Sequence, residues 1–270
     1  EGNFDDCQNL VKEMFADKVF SNEIKMSGVN SINWARIIAQ SVYYFYSYCL
    51  VEDNKQKINF SVPTGNFGDI YAGYLAKKMG LPINKLIVAT NQNDILHRAI
   101  SMGSYEVENV NETISPSMDI QIASNFERLI YDLNGKDDLK TINAMKDIKD
   151  KKKYTLDKEK LDQIKIDFAS SRMSENEILE TIKLVYKKFD LVLDPHSAIG
   201  YGAFDKVKID GNNIVLATAH PSKFPEAIMK SINLKSDLPQ KLRFVMDEKE
   251  NYDIIENNID KVKLHIKQRI

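Results

Sequence analysis

The sequence predicts an α/β fold: an open, mostly parallel sheet flanked by helices, with a charged helical insertion. Two observations carry that expectation. Short apolar runs, at Ile58-Asn59-Phe60-Ser61-Val62, Leu86-Ile87-Val88-Ala89-Thr90, Leu191-Val192-Leu193 and Ile214-Val215-Leu216-Ala217, are too short for helices and fit buried strands. The first two are each followed by a turn and a helical stretch, and such alternation favours parallel pairing.

The elements follow in order. Asp5 to Phe15 reads as a short amphipathic helix. Ser31 is the expected N-cap of the next helix, where Ala35, Ile38, Ala39, Val42, Phe45, Tyr46 and Cys49 recur at helical spacing. After the strand at 58–62 comes a helix from Asp69 to Met79, closed by Gly80. The strand at 86–90 leads into a helix from about Asp94 to Ser101, and Asn125 to Ile130 starts another. From Gly135 to about Glu159 lysines alternate with acidic residues, a pattern expected of a solvated helical excursion. A helix near Glu177 to Phe189 precedes the last two strand candidates.

Charge and cysteine content narrow the function. Among 270 residues, 37 Lys and Arg face 39 Asp and Glu, so the broad basic footprint of a nucleic-acid binder is missing. Cys7 and Cys49 are too few for a disulfide framework or a metal cage, and both are expected to be buried thiols. The apolar stretch from Ile37 to Leu50 is broken by Gln40, Ser41 and Ser47, which makes it a poor membrane span. His97, His196, His220 and His265 lack metal-ligand spacing, so no metal is expected. The opening Glu1-Gly2-Asn3 shows no signal peptide and no initiator Met, which predicts a piece of a longer cytoplasmic protein.

The sharpest feature is Ser61-Val62-Pro63-Thr64-Gly65-Asn66-Phe67-Gly68-Asp69, set between a strand and a helix. Gly65 and Gly68 let backbone N–H groups approach a ligand, and a helix N-terminus adds partial positive charge. The segment is neither a P-loop nor a G-x-G-x-x-G turn. A phosphate site and a plain strand–helix turn fit it equally.

A resemblance carries the reading further. Val62 to Ile70 with Ala72-Gly73-Tyr74 resembles the phosphate-cradling loop of threonine synthases. Other segments agree in the same order: Gly2 to Gln8, Asn30 to Arg36, Ala89-Thr90-Asn91 with Asn93 to Leu96, and Ser115 to Ile120. Ser124 to Leu129, Asp194 to Ala198, Thr218 to Pro221 and Lys223-Phe224 continue the series.

The resemblance implies a fold-type-II pyridoxal-phosphate enzyme, similar to the tryptophan synthase β subunit. Its reaction converts O-phosphohomoserine and water into threonine and phosphate. On that reading 1–134 and 190–234 form the cofactor-binding α/β domain, 135–189 the helical insertion and 235–270 a C-terminal tail. Gly65, Asn66, Phe67, Gly68 and Asp69 would surround the cofactor phosphate. Thr218 would set its hydroxyl beside the pyridine nitrogen, a neutral partner that moderates the electron sink. Ser31, Asn33 and Arg36, at a helix start, are candidates for the substrate phosphate, with N-capping and a surface ion pair as the competing view.

The family's Schiff-base lysine belongs to a Phe-Lys-Asp segment ahead of the Gly2 to Gln8 motif, so no catalytic residue is expected within this chain, which alone is expected to be inactive. The rival readings are a serine or threonine dehydratase on the same scaffold, and a non-catalytic binder of phosphorylated ligands.

Overall fold

The computed structural model describes residues 4–51, 57–246 and 248–270; residues 1–3, which open the Gly2 to Gln8 motif, lie outside the described residues. It divides into two units, Asn30–Asp237 and Glu1–Val29 with Leu238–Ile270. In chain order the first elements are α1 (Phe4–Ala16), α2 (Lys18–Glu23), α3 (Trp34–Cys49), β1 (Ile58–Pro63), α4 (Gly68–Lys78), β2 (Ile83–Thr90), α5 (Ile95–Met102) and β3 (Ser104–Glu106). Then come α6 (Phe126–Leu133), α7 (Asp138–Lys151), β4 (Lys153–Thr155), α8 (Lys158–Asp167), β5 (Phe168–Arg172) and α9 (Glu175–Phe189). The last are α10 (Pro195–Val207), β6 (Asn212–Val215), α11 (Pro225–Ile232) and α12 (Ile259–Lys267).

In the larger unit β5, β2, β1 and β6 lie side by side in that order, all parallel. β1 is buried at every position, as a central parallel strand covered on both faces must be. The chain passes from β1 to β2 on one side and later returns to place β6 on the other. β1 is therefore the switch point of the sheet, and a crevice opens beyond its carboxyl end. β3 and β4 form a separate antiparallel pair.

Aromatic side chains fill the face behind α4. Phe67 meets Phe126 edge to face at 5.3 Å and Phe168 at 5.8 Å, and Tyr105 stacks on Phe126 at 5.1 Å. Tyr44 of α3 is fully buried against Phe60, 4.8 Å between centroids. The opposite side of α3 is a row of exposed apolar residues four apart: Trp34, Ile38, Val42, Tyr46 and Leu50.

The smaller unit is helical. Asp17 caps α2 by accepting from Phe20 N–H at 3.0 Å, and it pairs with Lys263 of α12 at 2.6 Å. Lys267 pairs with Glu23 at 2.6 Å, and both ammonium groups stand over the Phe20 ring. The stretch 235–270, read from sequence as a tail, thus supplies a helix to this unit.

Several expectations are corrected. Leu191-Val192-Leu193 is not a strand but the extended link between the left-handed end of α9 at Asp190 and the Pro195 start of α10. The fourth strand is β5, inside the stretch taken for a helical insertion, and β6 begins two residues earlier than the apolar run. The N-cap of α3 is Asn33, whose Oδ1 accepts from Ala35 N–H at 2.9 Å, and not Ser31. Cys7 and Cys49 are exposed, because each falls on the outward side of an amphipathic helix. Among the described residues no helix is long and apolar enough to cross a membrane.

Candidate functional site

The crevice beyond β1 holds a cavity of about 250 Å³. Its floor is the link from β1 to α4, Pro63 to Ile70, and Thr218 and Ala219 enter from the segment that follows β6. Ser31 and Gln40 reach it from the α3 side, and Ser117, Met118, His196 and Lys223 complete the lining.

The floor is shaped by a strained residue and two close approaches. Phe67 has φ +66°, the left-handed region that costs a bulky residue on the order of 1–3 kcal/mol. Burial of its ring among Phe126 and Phe168 holds it there. Gly65 and Gly68 are needed for space: a Cβ on Gly65 would stand 2.7 Å from Ser117 O. One on Gly68 would lie 3.2 Å from Asn125 Nδ2 and 3.3 Å from Ser31 Cβ and Ile37 Cδ1. Because Phe67 offers no side-chain cap, the first N–H groups of α4 are left for something else.

Unpaired polar atoms gather here. Among the described residues the buried side-chain atoms without a hydrogen bond are Gln40 Oε1, Asn66 Oδ1 and Asn125 Nδ2. Gln40 and Asn66 line the cavity, and Asn125 stands behind Gly68. Such groups are costly to bury unpaired, so their concentration at one place marks a site for a ligand. Asp69 turns its carboxyl to Tyr44, whose hydroxyl donates to Asp69 O at 2.9 Å and to Oδ1 at 3.2 Å. Burial pushes the Asp69 carboxyl up to about 6, against the opposing hydrogen bond from Tyr44.

The opposite wall hangs from Asp194. Its Oδ1 accepts from the N–H and Nδ1 of His196, both at 2.9 Å, and its Oδ2 accepts from the Ser197 hydroxyl and, at 3.3 Å, the Ser197 N–H. His196 Nε2 in turn accepts from Ser117 N–H at 3.3 Å, which leaves the proton on Nδ1 and the ring neutral. Ser197 Oγ accepts from Thr218 N–H at 3.2 Å. Burial alone would raise the Asp194 carboxyl, but hydrogen bonds from His196 and Ser197 more than offset it and hold it below the ordinary value.

Of the residues singled out from sequence, Gly65, Asn66, Phe67, Gly68, Asp69, Thr218 and Ser31 meet at this cavity. Asn33 is occupied as a helix cap and Arg36 is exposed on α3; neither lines the cavity. Ser117 and Lys223 lie inside the quoted motifs, yet their sequence gives them no role; His196, beside Pro195, fits loop-backbone bonding and substrate contact equally from sequence, and in the fold it accepts from Ser117 N–H. Gln40 carries no such signal and is found only through the fold.

An uncapped helix start opening onto a cavity at the switch point of a parallel sheet defines the class: an α/β protein with a crevice at its carboxyl edge. Comparison then narrows it. Residues 197–266 match the family model "Threonine synthase, C-terminal". Threonine synthase of Pseudomonas aeruginosa is 43% identical over 99% of this chain, and that of Saccharomyces cerevisiae 42% over all of it. The chain spans 58% of the length of each of these relatives. The crystal structure of pyridoxal-phosphate-bound threonine synthase from Brucella melitensis, 45% identical, superposes with a TM-score of 0.90 over 99% of this chain and 58% of its own. The Escherichia coli enzyme, at 27% identity, still gives 0.81 over all of this chain and 57% of its own. Along nearly its whole length the chain is similar to threonine synthases.

Proposed function

We propose that this chain forms the greater part of a pyridoxal-phosphate-dependent threonine synthase, converting O-phospho-L-homoserine and water to L-threonine and phosphate. The observation that carries the reading is the cavity floor: an uncapped helix start, a glycine at each close approach, and unpaired buried amides around them. These features fit a phosphate-bearing cofactor. Gly65 to Asp69 would hold its phosphate through backbone N–H groups, and Thr218, in the segment after β6, would face the pyridine nitrogen. When bound, that group supplies the electron sink for proton removal from the substrate. Ser31 is the substrate-side residue at the cavity; Asn33 and Arg36 do not line it. The neutral imidazole of His196 holds the Ser117 segment in place, and the aromatic packing behind Phe67 keeps water from the floor. A cytoplasmic location belongs to the same reading.

The Schiff-base lysine is assigned to none of the lysines in residues 1–270; among the described residues Lys223 is the lysine that lines the cavity. Two measurements on the full-length protein test the proposal. Incubation with cofactor and O-phosphohomoserine is expected to yield threonine and phosphate in equal amounts. Faster deamination of serine or threonine would replace this reading with a dehydratase. Borohydride reduction and peptide mapping are expected to place the cofactor adduct outside residues 1–270, and an adduct on Lys223 overturns that assignment.

A further inference from the structure

Asn125 sits at the start of α6 and is 1% exposed. Its backbone N–H donates to Asn66 O at 3.0 Å, so it is tied to the cavity floor itself. Arg128 Nε donates to Asn125 Oδ1 at 3.0 Å, and its Nη2 donates to Ile32 O at 3.0 Å while the guanidinium lies 5.0 Å over the Trp34 ring. A guanidinium only donates, so the oxygen of the Asn125 amide must face Arg128 and the nitrogen must face the other way. That nitrogen points at the start of α4, 3.2 Å from where a Gly68 Cβ would stand, and has no acceptor. Asn66 Oδ1 is an unpaired acceptor on the same floor and does not take it. Ser31, which lines the cavity, approaches the same Gly68 position at 3.3 Å. A buried side-chain donor without an acceptor therefore stands beside the first turn of an eleven-residue helix whose own donors no side chain caps.

We propose that Asn125 is an anion-binding residue: its Nδ2 donates to an oxygen of the phosphate monoester held at the start of α4. Arg128 is the positioning residue that decides which end of the amide faces the phosphate. This inference rests on the reading of the Gly65 to Asp69 loop as a phosphate site and adds to it the side-chain ligand.

The test is a titration of the full-length protein with inorganic phosphate, followed by calorimetry and by the NMR signals of the Asn125 side-chain amide. In Asn125→Asp the oxygen facing Arg128 is kept while the donor becomes an acceptor. Phosphate affinity is expected to fall roughly 30-fold or more, as loss of a charge-assisted hydrogen bond requires. The melting temperature should hold or rise, since the Arg128 contact becomes an ion pair. In the unaltered protein the Asn125 side-chain signals should shift on adding phosphate, and in Arg128→Lys they should split between two amide orientations. Equal phosphate affinity in Asn125→Asp, or an unmoved Asn125 signal in the unaltered protein, overturns the assignment of Asn125. An unsplit signal in Arg128→Lys removes Arg128 from it. Failure of the unaltered protein to bind phosphate at all would instead bring down the loop reading on which this rests.

Discussion

α9 and α4 begin in opposite ways. At α9, Ser174 Oγ accepts from Glu177 N–H at 3.5 Å and Glu177 Oε2 accepts from Ser174 N–H at 2.8 Å, a reciprocal capping box. Lys206, 2.6 Å from Glu177, and the Ser174 N–H hold that carboxyl down to about 2. At α4 a strained Phe67 precedes the first turn, no side chain caps it, and the nearest acid is turned to Tyr44 and pushed up to about 6. A helix start that serves only the fold saturates its own donors. The one that opens onto the cavity leaves them open and carries strain at Phe67.

The contrast can be broken most decisively at Gly68. Gly68→Val adds branched carbon where three groups already stand within 3.3 Å. It should abolish measurable phosphate and cofactor binding and cost about 1–3 kcal/mol of stability through overpacking. A folded Gly68→Val protein with normal cofactor titration would reduce the loop to a plain turn.

The next effect is pH-dependent. The Asp69 carboxyl titrates near 6 when folded against an ordinary value of 3.8, so the folded state binds its proton more tightly. Its contribution is therefore most favourable below about pH 4 and is lost as pH rises through 6. Relative to the parent, Asp69→Asn should gain up to about 3 kcal/mol between those limits, read by urea unfolding across the range. Glu177 runs the other way: its folded value is below the ordinary 4.5, so its contribution is present at neutral pH and fades as pH falls toward 2. An Asp69→Asn protein with the parent's pH slope would remove the electrostatic half of the comparison.

Ser174→Ala should cost about 1 kcal/mol, the usual loss of a cap, and leave phosphate affinity unchanged. Thr218→Val is expected to change stability by less than about 0.5 kcal/mol and to spare phosphate binding. On the role proposed for Thr218, turnover should nevertheless fall. A Thr218→Val protein that turns over normally would free Thr218 from that role.

The central strands are legible because Ile58, Phe60 and Val62 recur along β1 and Leu86 to Ala89 are apolar in succession, while the buried Asn59 and Ser61 are satisfied by Asn213 Oδ1 and Gly200 O. β5 is not: Phe168-Ala169-Ser170-Ser171-Arg172 is an edge strand with little apolar character, and pairing with β2 alone makes it a strand. Leu191-Val192-Leu193 misleads for the converse reason, being apolar enough for a strand but caught between two helix ends. The cap of α3 could not be chosen from sequence, because Asn30, Ser31 and Asn33 are all capping types. At the cavity the glycines are visible as a motif. The strain is not, since a left-handed conformation is expected of glycine and here falls on Phe67. The unpaired amides of Gln40, Asn66 and Asn125 are visible only once the elements that surround them are assembled.

Asp194 has a consequence for how the cavity wall breathes. The amide hydrogens of His196 and Ser197 are held by its carboxylate, that of Ser117 by the imidazole it orients, and that of Thr218 by the hydroxyl it fixes. Four amides from three stretches of chain thus depend on one anchor, and solvent deuterium should enter them in a single opening event with a shared free energy. The wall is a cooperative shell: it opens whole or not at all.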